Sequence, residues 1–138
     1  MGLGAGVSCS PHAQAALRWA VEEAKLRHAS VSAVHVWQPL VEGYPYSGFA
    51  YDPGLLEVAA RALLDEAVDA VVVPGQEPEV ARVVVCGGAA SALLEQAEVA
   101  ELVVVGSRGR GGFSGLVLGS VSQQVAYHAR CPVVIVRS

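Results

Sequence analysis

Residues 103–120 read VVVGSRGRGGFSGLVLGS. Three valines end at Gly106, and Gly109, Gly111 and Gly112 follow within six residues, with Arg108 and Arg110 among them. The stretch closes on Gly119-Ser120, which opens another apolar segment. An unbroken β-branched run is the pattern of a strand covered on both faces, as in parallel sheets flanked by helices. A glycine-rich, cationic segment at its end is either a turn or a place where backbone must come close to an anion.

Outward from this strand, short apolar runs alternate with amphipathic segments. Residues 11–28 carry Ala13, Ala16, Leu17, Ala20, Val21 and Ala24 at spacings of three and four, which is one helical face. Ser10 is the expected N-cap, with Pro11 in the first turn where its missing N–H costs nothing. Residues 30–37 are β-branched and compact, a strand. Residues 52–71 predict a second helix with its apolar face at Leu56, Ala60, Leu63, Ala67 and Val71. Residues 82–86 read as a strand, 91–97 as a short helix, and 102–105 as the strand of the opening stretch. Val117, Val121, Val125 and Ala129 recur every four residues on a final helix, Pro132 stops it, and Val133–Val136 form a last strand. The first strand must be residues 2–8, GLGAGVS, although three glycines are poor strand formers. Alternating strands and helices predict an α/β fold, a mainly parallel sheet with helices on both faces.

The chain has 138 residues, 53% of them apolar and 16% charged. That length suits one domain, residues 1–138, with a single core, and the composition excludes a disordered chain. A formal net charge of −4 gives no basic field to attract nucleic acid, so any anion site is local. Cys9, Cys86 and Cys131 stand far apart without metal-ligand spacing. Their odd number, with no secretion signal in MGLGAGVSCS, points to the cytoplasm. No apolar run approaches the roughly 20 residues that span a bilayer.

In an open α/β sheet, ligands bind beyond the carboxyl ends of strands, where neighbouring connections leave in opposite directions. Gly106 lies at such an end, Gly109 follows, and Gly119-Ser120 stands at a helix start whose free N–H groups and dipole favour an anion. Ser120 adds a hydroxyl, and Arg108 and Arg110 add charge. The set suits a di- or triphosphate, but a plain glycine turn remains open on loop chemistry alone. No Gly-Lys-Ser/Thr makes it a Walker loop, and the glycines follow the fourth strand rather than the first.

The spacing Gly106-x2-Gly109-x9-Gly119-Ser120 resembles the G-2x-G-9x-G-(S/T) motif of the universal stress protein family. The flanking text is similar too: Glu101 through Gly109, Gly119-Ser120-Val121-Ser122, and His128-Ala129-Arg130-Cys131-Pro132-Val133. Ser10-Pro11 before an alanine-rich helix and Val34-His35-Val36 closing a strand fit as well, so the likeness runs over nearly the whole chain. The resemblance implies an open five-stranded parallel sheet of order 3-2-1-4-5 and ATP at the switch point, with Mg2+ carried by the phosphates. Gly106, Arg108, Gly109, Gly119, Ser120 and Val121 would then surround the phosphates, Val36 would meet the adenine through its backbone, and Val7, Ser8 and Cys9 would face the nucleoside. It also implies a homodimer through Val133–Val136, an apolar strand at a sheet edge where a second chain can pair. One departure stands out: the family shows Val-Asp-Gly-Ser-Pro after the first strand, and here the text is Val7-Ser8-Cys9-Ser10-Pro11. A serine offers one hydrogen bond but no carboxylate, a difference of about tenfold to a hundredfold in affinity.

Two readings of function outweigh a third, an enzyme of a related α/β nucleotidyl-transfer type, whose S-G-G-x-D-S or H-x-G-H signature at the first strand does not occur here. One is a nucleotide-binding, stress-response regulatory module that switches conformation or partner with ATP. The other is a dimeric scaffold of the same fold that binds no nucleotide, on the strength of Ser8. No carboxylate pair, Cys-His arrangement or activating lysine is recognisable near the loop, so hydrolysis would be slow at most. Among other residues, His128 is expected at a helix end facing the dipole, and Cys86 and Cys131 in small core packing. Cys9 would be a thiol beside the cleft. The aromatic loop 43–52, GYPYSGFAYD, would lie over a ligand, a partner or the surface.

Overall fold

The structure, a computed structural model, describes residues 2–7, 11–38, 53–107 and 118–137. Strands and helices alternate strictly: β1 (Gly2–Val7), α1 (Pro11–Arg27), β2 (Ser30–Trp37), α2 (Pro53–Asp69), β3 (Val80–Cys86), α3 (Ala89–Ala97), β4 (Ala100–Gly106), α4 (Ser120–His128) and β5 (Val133–Val136). All the strand pairings are parallel, and the strands lie in the order β3-β2-β1-β4-β5. β3 and β5 are therefore the edges, and β1 is central.

The valine run of β4 explains the layering. Leu102, Val103, Val104 and Val105 are all buried, so both faces of this strand must be covered. Successive side chains point to opposite faces, and two separate apolar clusters form accordingly. Leu102 and Val104 join Val31 and Ala33 of β2 beneath α1 and α2, with Ala16, Leu17, Ala20, Val21, Leu64 and Val68 as the helical contribution. Val103 and Val105 join Val34 beneath α3 and α4, against Ala92, Leu93, Ala97 and Val125. Fully burying such side chains contributes about 1.5–3 kcal/mol each.

The alanine-rich face of α1 lies where its periodicity puts it, with Ala13, Ala16, Leu17, Ala20, Val21 and Ala24 all buried. Small side chains there let the helix lie close on the sheet. Two other helical faces differ from the sequence reading. In α2 the buried residues are Ala60, Leu64 and Val68, while Leu63 is 43% exposed. Adjacent leucines at 63 and 64 both continue a helical stripe from Ala60, and only packing against β2 and β3 selects between them. In α4 the helix starts at Ser120 after an extended Gly119 (φ −76°, ψ 168°). Val117 therefore precedes the helix, lying outside the described residues, and the buried pair is Ser122 and Val125. Ser10, the expected cap of α1, and the aromatic loop 43–52 also lie outside the described residues.

The glycine-rich β1 is a strand from Gly2 to Val7, paired along β2 from Gly2↔Ser30 to Val7↔His35 and along β4 as far as Ala5↔Val104. A ladder on each side supplies what glycine lacks in intrinsic preference. Edge strand β3 is tied to α2 by Arg82, whose guanidinium donates to Asp65 at 2.7 Å and to Asp69 at 2.6 Å. Those hydrogen bonds hold the Arg82 pKa above its ordinary value, with burial opposing. Cys131 is half-buried against the α3/α4 cluster, and desolvation pushes its thiol up, with backbone hydrogen bonds opposing. Cys86 does not share that packing: it is exposed at the end of β3, because an edge strand's last residue projects past the cover of the helices.

Three measurements check this architecture. Leu17→Ala empties a fully buried position and should lower unfolding free energy by about 2–5 kcal/mol in urea titration, whereas Leu26→Ala, at 78% exposure, should change it by less than about 0.5 kcal/mol. Arg82→Ala should cost about 1 kcal/mol or less, since its partners are largely solvated, and the difference should shrink in 1 M salt, where screening is nearly complete beyond about 3 Å. Iodoacetamide should label Cys86 in the folded protein well before Cys131, as read by peptide mass spectrometry. Cys131 holds its proton more tightly folded than unfolded, so its contribution to stability is complete at neutral pH. That contribution is lost as pH rises through the raised folded value.

Candidate functional site

The connections from β1 and β4 leave the sheet on opposite faces. β1 leads through α1, which packs on the face with α2; β4 leads through α4, which packs on the face with α3. β1 and β4 are neighbours, so the point of divergence, and the crevice it opens, lies at their carboxyl ends. Val7 and Gly106 are the last residues of these two strands.

The backbone at this end is directed by the strand alternation. Trp37 accepts a hydrogen bond through its carbonyl from the Gly87 N–H at 2.9 Å, so it faces β3. Its neighbour Val36 must therefore turn its own N–H and C=O the other way, toward β1. The β1 ladder with β2 ends one residue earlier, at Val7↔His35. On the other side, the Ser107 N–H donates to Val136 of β5 at 2.9 Å, so Gly106 likewise turns its peptide groups toward β1. Val36 thus aims its carbonyl, and Gly106 its peptide groups, from both sides at the space beyond Val7. The Val36 side chain, by contrast, packs into the α3/α4 cluster, which leaves only its backbone for a ligand.

The far wall is the start of α4, and it is fastened to β4. The Gly119 N–H donates to the Ser107 carbonyl at 2.7 Å. Ser122 Oγ lies 3.1 Å from the same carbonyl oxygen and 2.9 Å from that of Gly119. The Gln123 amide donates to the Leu118 carbonyl at 3.1 Å. The Ser122 and Gln123 side chains are therefore spent on carbonyl oxygens. The N-cap is Gly119, which has no side chain with which to cap the N–H groups that follow. Ser120, the first helical residue, is exposed, and Val121 is half-buried against the α3/α4 cluster. A helix start with open donors and a small residue at its cap fits an anionic oxygen.

Of the residues singled out in the sequence, the described ones, Val7, Val36, Gly106, Gly119, Ser120 and Val121, share the carboxyl end of the sheet. Ser8, Cys9, Arg108 and Gly109 lie outside the described residues. Sequence reasoning did not assign roles to Ser107 and Ser122, both buried. The available signal was a polar residue, Ser122, on what is otherwise an apolar helical face beside Val125. A separate cleft of about 270 Å³, lined by Lys25, His28, Ser30, Glu77 and Glu79 among others, adjoins the amino-terminal ends of β2 and β3, away from this crevice. Among the described residues no helix is long and apolar enough to cross a membrane.

Comparison with known proteins gives the same frame. The model of the universal stress protein family matches residues 3–137. A universal stress protein of Mycolicibacterium smegmatis is 41% identical over 132 residues, covering 96% of this chain and 44% of the relative. The chain thus spans less than half the length of that curated relative. A universal stress protein solved in complex with cAMP superposes with a TM-score of 0.73 at 25% identity, covering 99% of this chain and 96% of that one. One from Archaeoglobus fulgidus in complex with dAMP gives 0.67 at 26% identity, covering 98% and 96%. With its sequence matched from the first strand to the last and its α/β fold shared with these structures, the chain belongs to the universal stress protein family.

Proposed function

We propose that this chain binds an adenine nucleotide, ATP with Mg2+ carried by its phosphates, and serves as a stress-response regulatory switch in the cytoplasm. The observation that carries the reading is the bond between the end of β4 and the start of α4. It sets the peptide groups of Gly106 beside a helix N-terminus whose cap has no side chain. Gly106, Gly119, Ser120 and Val121, with Arg108 and Gly109, would hold the phosphates; Val36 would offer its backbone to the base; Val7, Ser8 and Cys9 would line the nucleoside. The two relatives of the same fold that hold cAMP and dAMP support an adenine nucleotide as the ligand class. No catalytic step is assigned.

In this reading residues 1–138 act as one domain and pair with a second copy. β5 is an edge strand of the sheet, its four residues are Val133, Val134, Ile135 and Val136, and such an edge invites another chain. A net charge of −4 gives no reason to expect a nucleic-acid partner. One observation favours a second reading, a dimeric scaffold without nucleotide: Ser8 stands where the family carries a carboxylate.

Calorimetric titration with Mg-ATP, with cAMP and dAMP as competitors, separates the two. Wild-type protein should bind, the Gly109→Ala/Gly119→Ala double variant should lose binding, and Ser8→Asp should bind about tenfold to a hundredfold more tightly. Trp37, at the end of β2, provides a fluorescence signal for the same titrations. An absence of heat and of thermal shift in the wild type selects the scaffold.

A further inference from the structure

We infer that Ser122 is the positioning residue of this cradle, acting through Gly119 and Ser107 rather than by touching the nucleotide. The inference rests on the nucleotide-binding reading above and adds to it the group that aims the helix. Ser107 carries the first backbone carbonyl after β4, and Gly119 the backbone N–H just before α4. Their hydrogen bond of 2.7 Å joins the two ends of the glycine-rich connection. A single hydrogen bond is a pivot, about which the first turn of α4 can still rotate. Ser122 Oγ, three residues further along the helix, reaches the same carbonyl at 3.1 Å. Two attachments from successive points of one turn to one acceptor fix the direction of the helix start relative to β4.

The side chain is placed for that role and for little else. Ser122 is 2% exposed, and Ser107 is 4% exposed, so neither hydroxyl nor carbonyl competes freely with water. Its neighbour on the helix face, Val125, is fully buried. Oγ also lies 2.9 Å from the Gly119 carbonyl oxygen, so its one proton is shared between the cap residue and the strand end. Ser122 is the residue that keeps the N–H groups of Ser120 and Val121 directed at the carboxyl ends of β1 and β4. Without it those donors remain, but their orientation is no longer held, and phosphate binding suffers while base binding does not.

The test compares ATP with adenosine by calorimetry on the full chain, taking the ratio of their dissociation constants as the contribution of the phosphates. Ser122→Ala should lower that ratio by roughly tenfold, the weight of one buried hydrogen bond, with adenosine affinity unchanged. Ser122→Thr keeps the hydroxyl and should retain the wild-type ratio. In the ligand-free protein, amide exchange at Gly119 should quicken in Ser122→Ala and stay slow in Ser122→Thr. A Ser122→Ala variant with lowered thermal stability but an unchanged ratio would show a purely structural serine and overturn the inference. So would a threonine variant as impaired as the alanine one, or Gly119 exchange that does not respond. Wild-type protein that binds neither ligand overturns the functional reading and this inference with it. Wild-type binding with an undisturbed ratio overturns this inference alone.

Discussion

Everything in this molecule follows from the need to bury β4 on both faces. Four consecutive apolar side chains, Leu102 to Val105, are out of water, and a strand alternates its side chains between the two faces of its sheet. One layer of helices cannot cover them. α1 and α2 cover one side and α3 and α4 the other, so the chain must cross from face to face as it passes from one half to the next. That crossing makes β1 and β4 neighbours whose connections diverge, and the divergence is what opens a crevice at their carboxyl ends. The crevice is thus a geometric by-product of core packing, present before any side chain is chosen for chemistry.

What the side chains add is restraint. The crevice is walled on two sides by strand backbone, at Val36 and Gly106, and on a third by the start of α4. Backbone walls need no charged groups, which fits a chain of low charge content whose formal net charge is −4. They do need to be held still. The Ser107 carbonyl does this at the point where the long connection from β4 to α4 would otherwise leave its ends independent, accepting from Gly119 and lying within reach of the Ser122 hydroxyl. The arrangement is economical in donors: the serine and glutamine of the first turn serve carbonyl oxygens, so the helix's own N–H groups stay available. A conventional capping serine or aspartate at 119 would have consumed one of them.

The family relationship locates this chain among proteins of which two related structures hold adenine nucleotides. In the proposed reading, the departure at Ser8 would bear on the nucleoside and leave the phosphate side as it is. Those two halves are separable in physical terms. Phosphate oxygens would be met by peptide N–H groups and a helix dipole, which depend on backbone path, whereas discrimination of ribose or base would depend on side chains. A chain can therefore keep the first while altering the second, and its ligand preference would shift without any change of fold.

The sequence by itself determined the alternation of strands and helices, the buried face of α1 and the glycine motif. Each of these is written in local periodicity or spacing, and local periodicity survives without knowledge of the partner surface. It also located Gly106, Gly119 and Ser120 at element ends, because a valine run stopping at glycine has one local meaning. Tertiary structure decided the rest. Leu64 rather than Leu63 faces the sheet because two adjacent leucines both continue the stripe and only the position of β2 and β3 breaks the tie. Cys86 is exposed because its strand lies at an edge, a fact of sheet order that its own neighbours in sequence do not carry. α4 begins at Ser120, after the Val117 that shares its four-residue period, because the helix must start where Gly119 reaches Ser107. Ser122 acquires its role only there, since the carbonyl it reaches is fifteen residues away along the chain and becomes its neighbour when β4 and α4 meet.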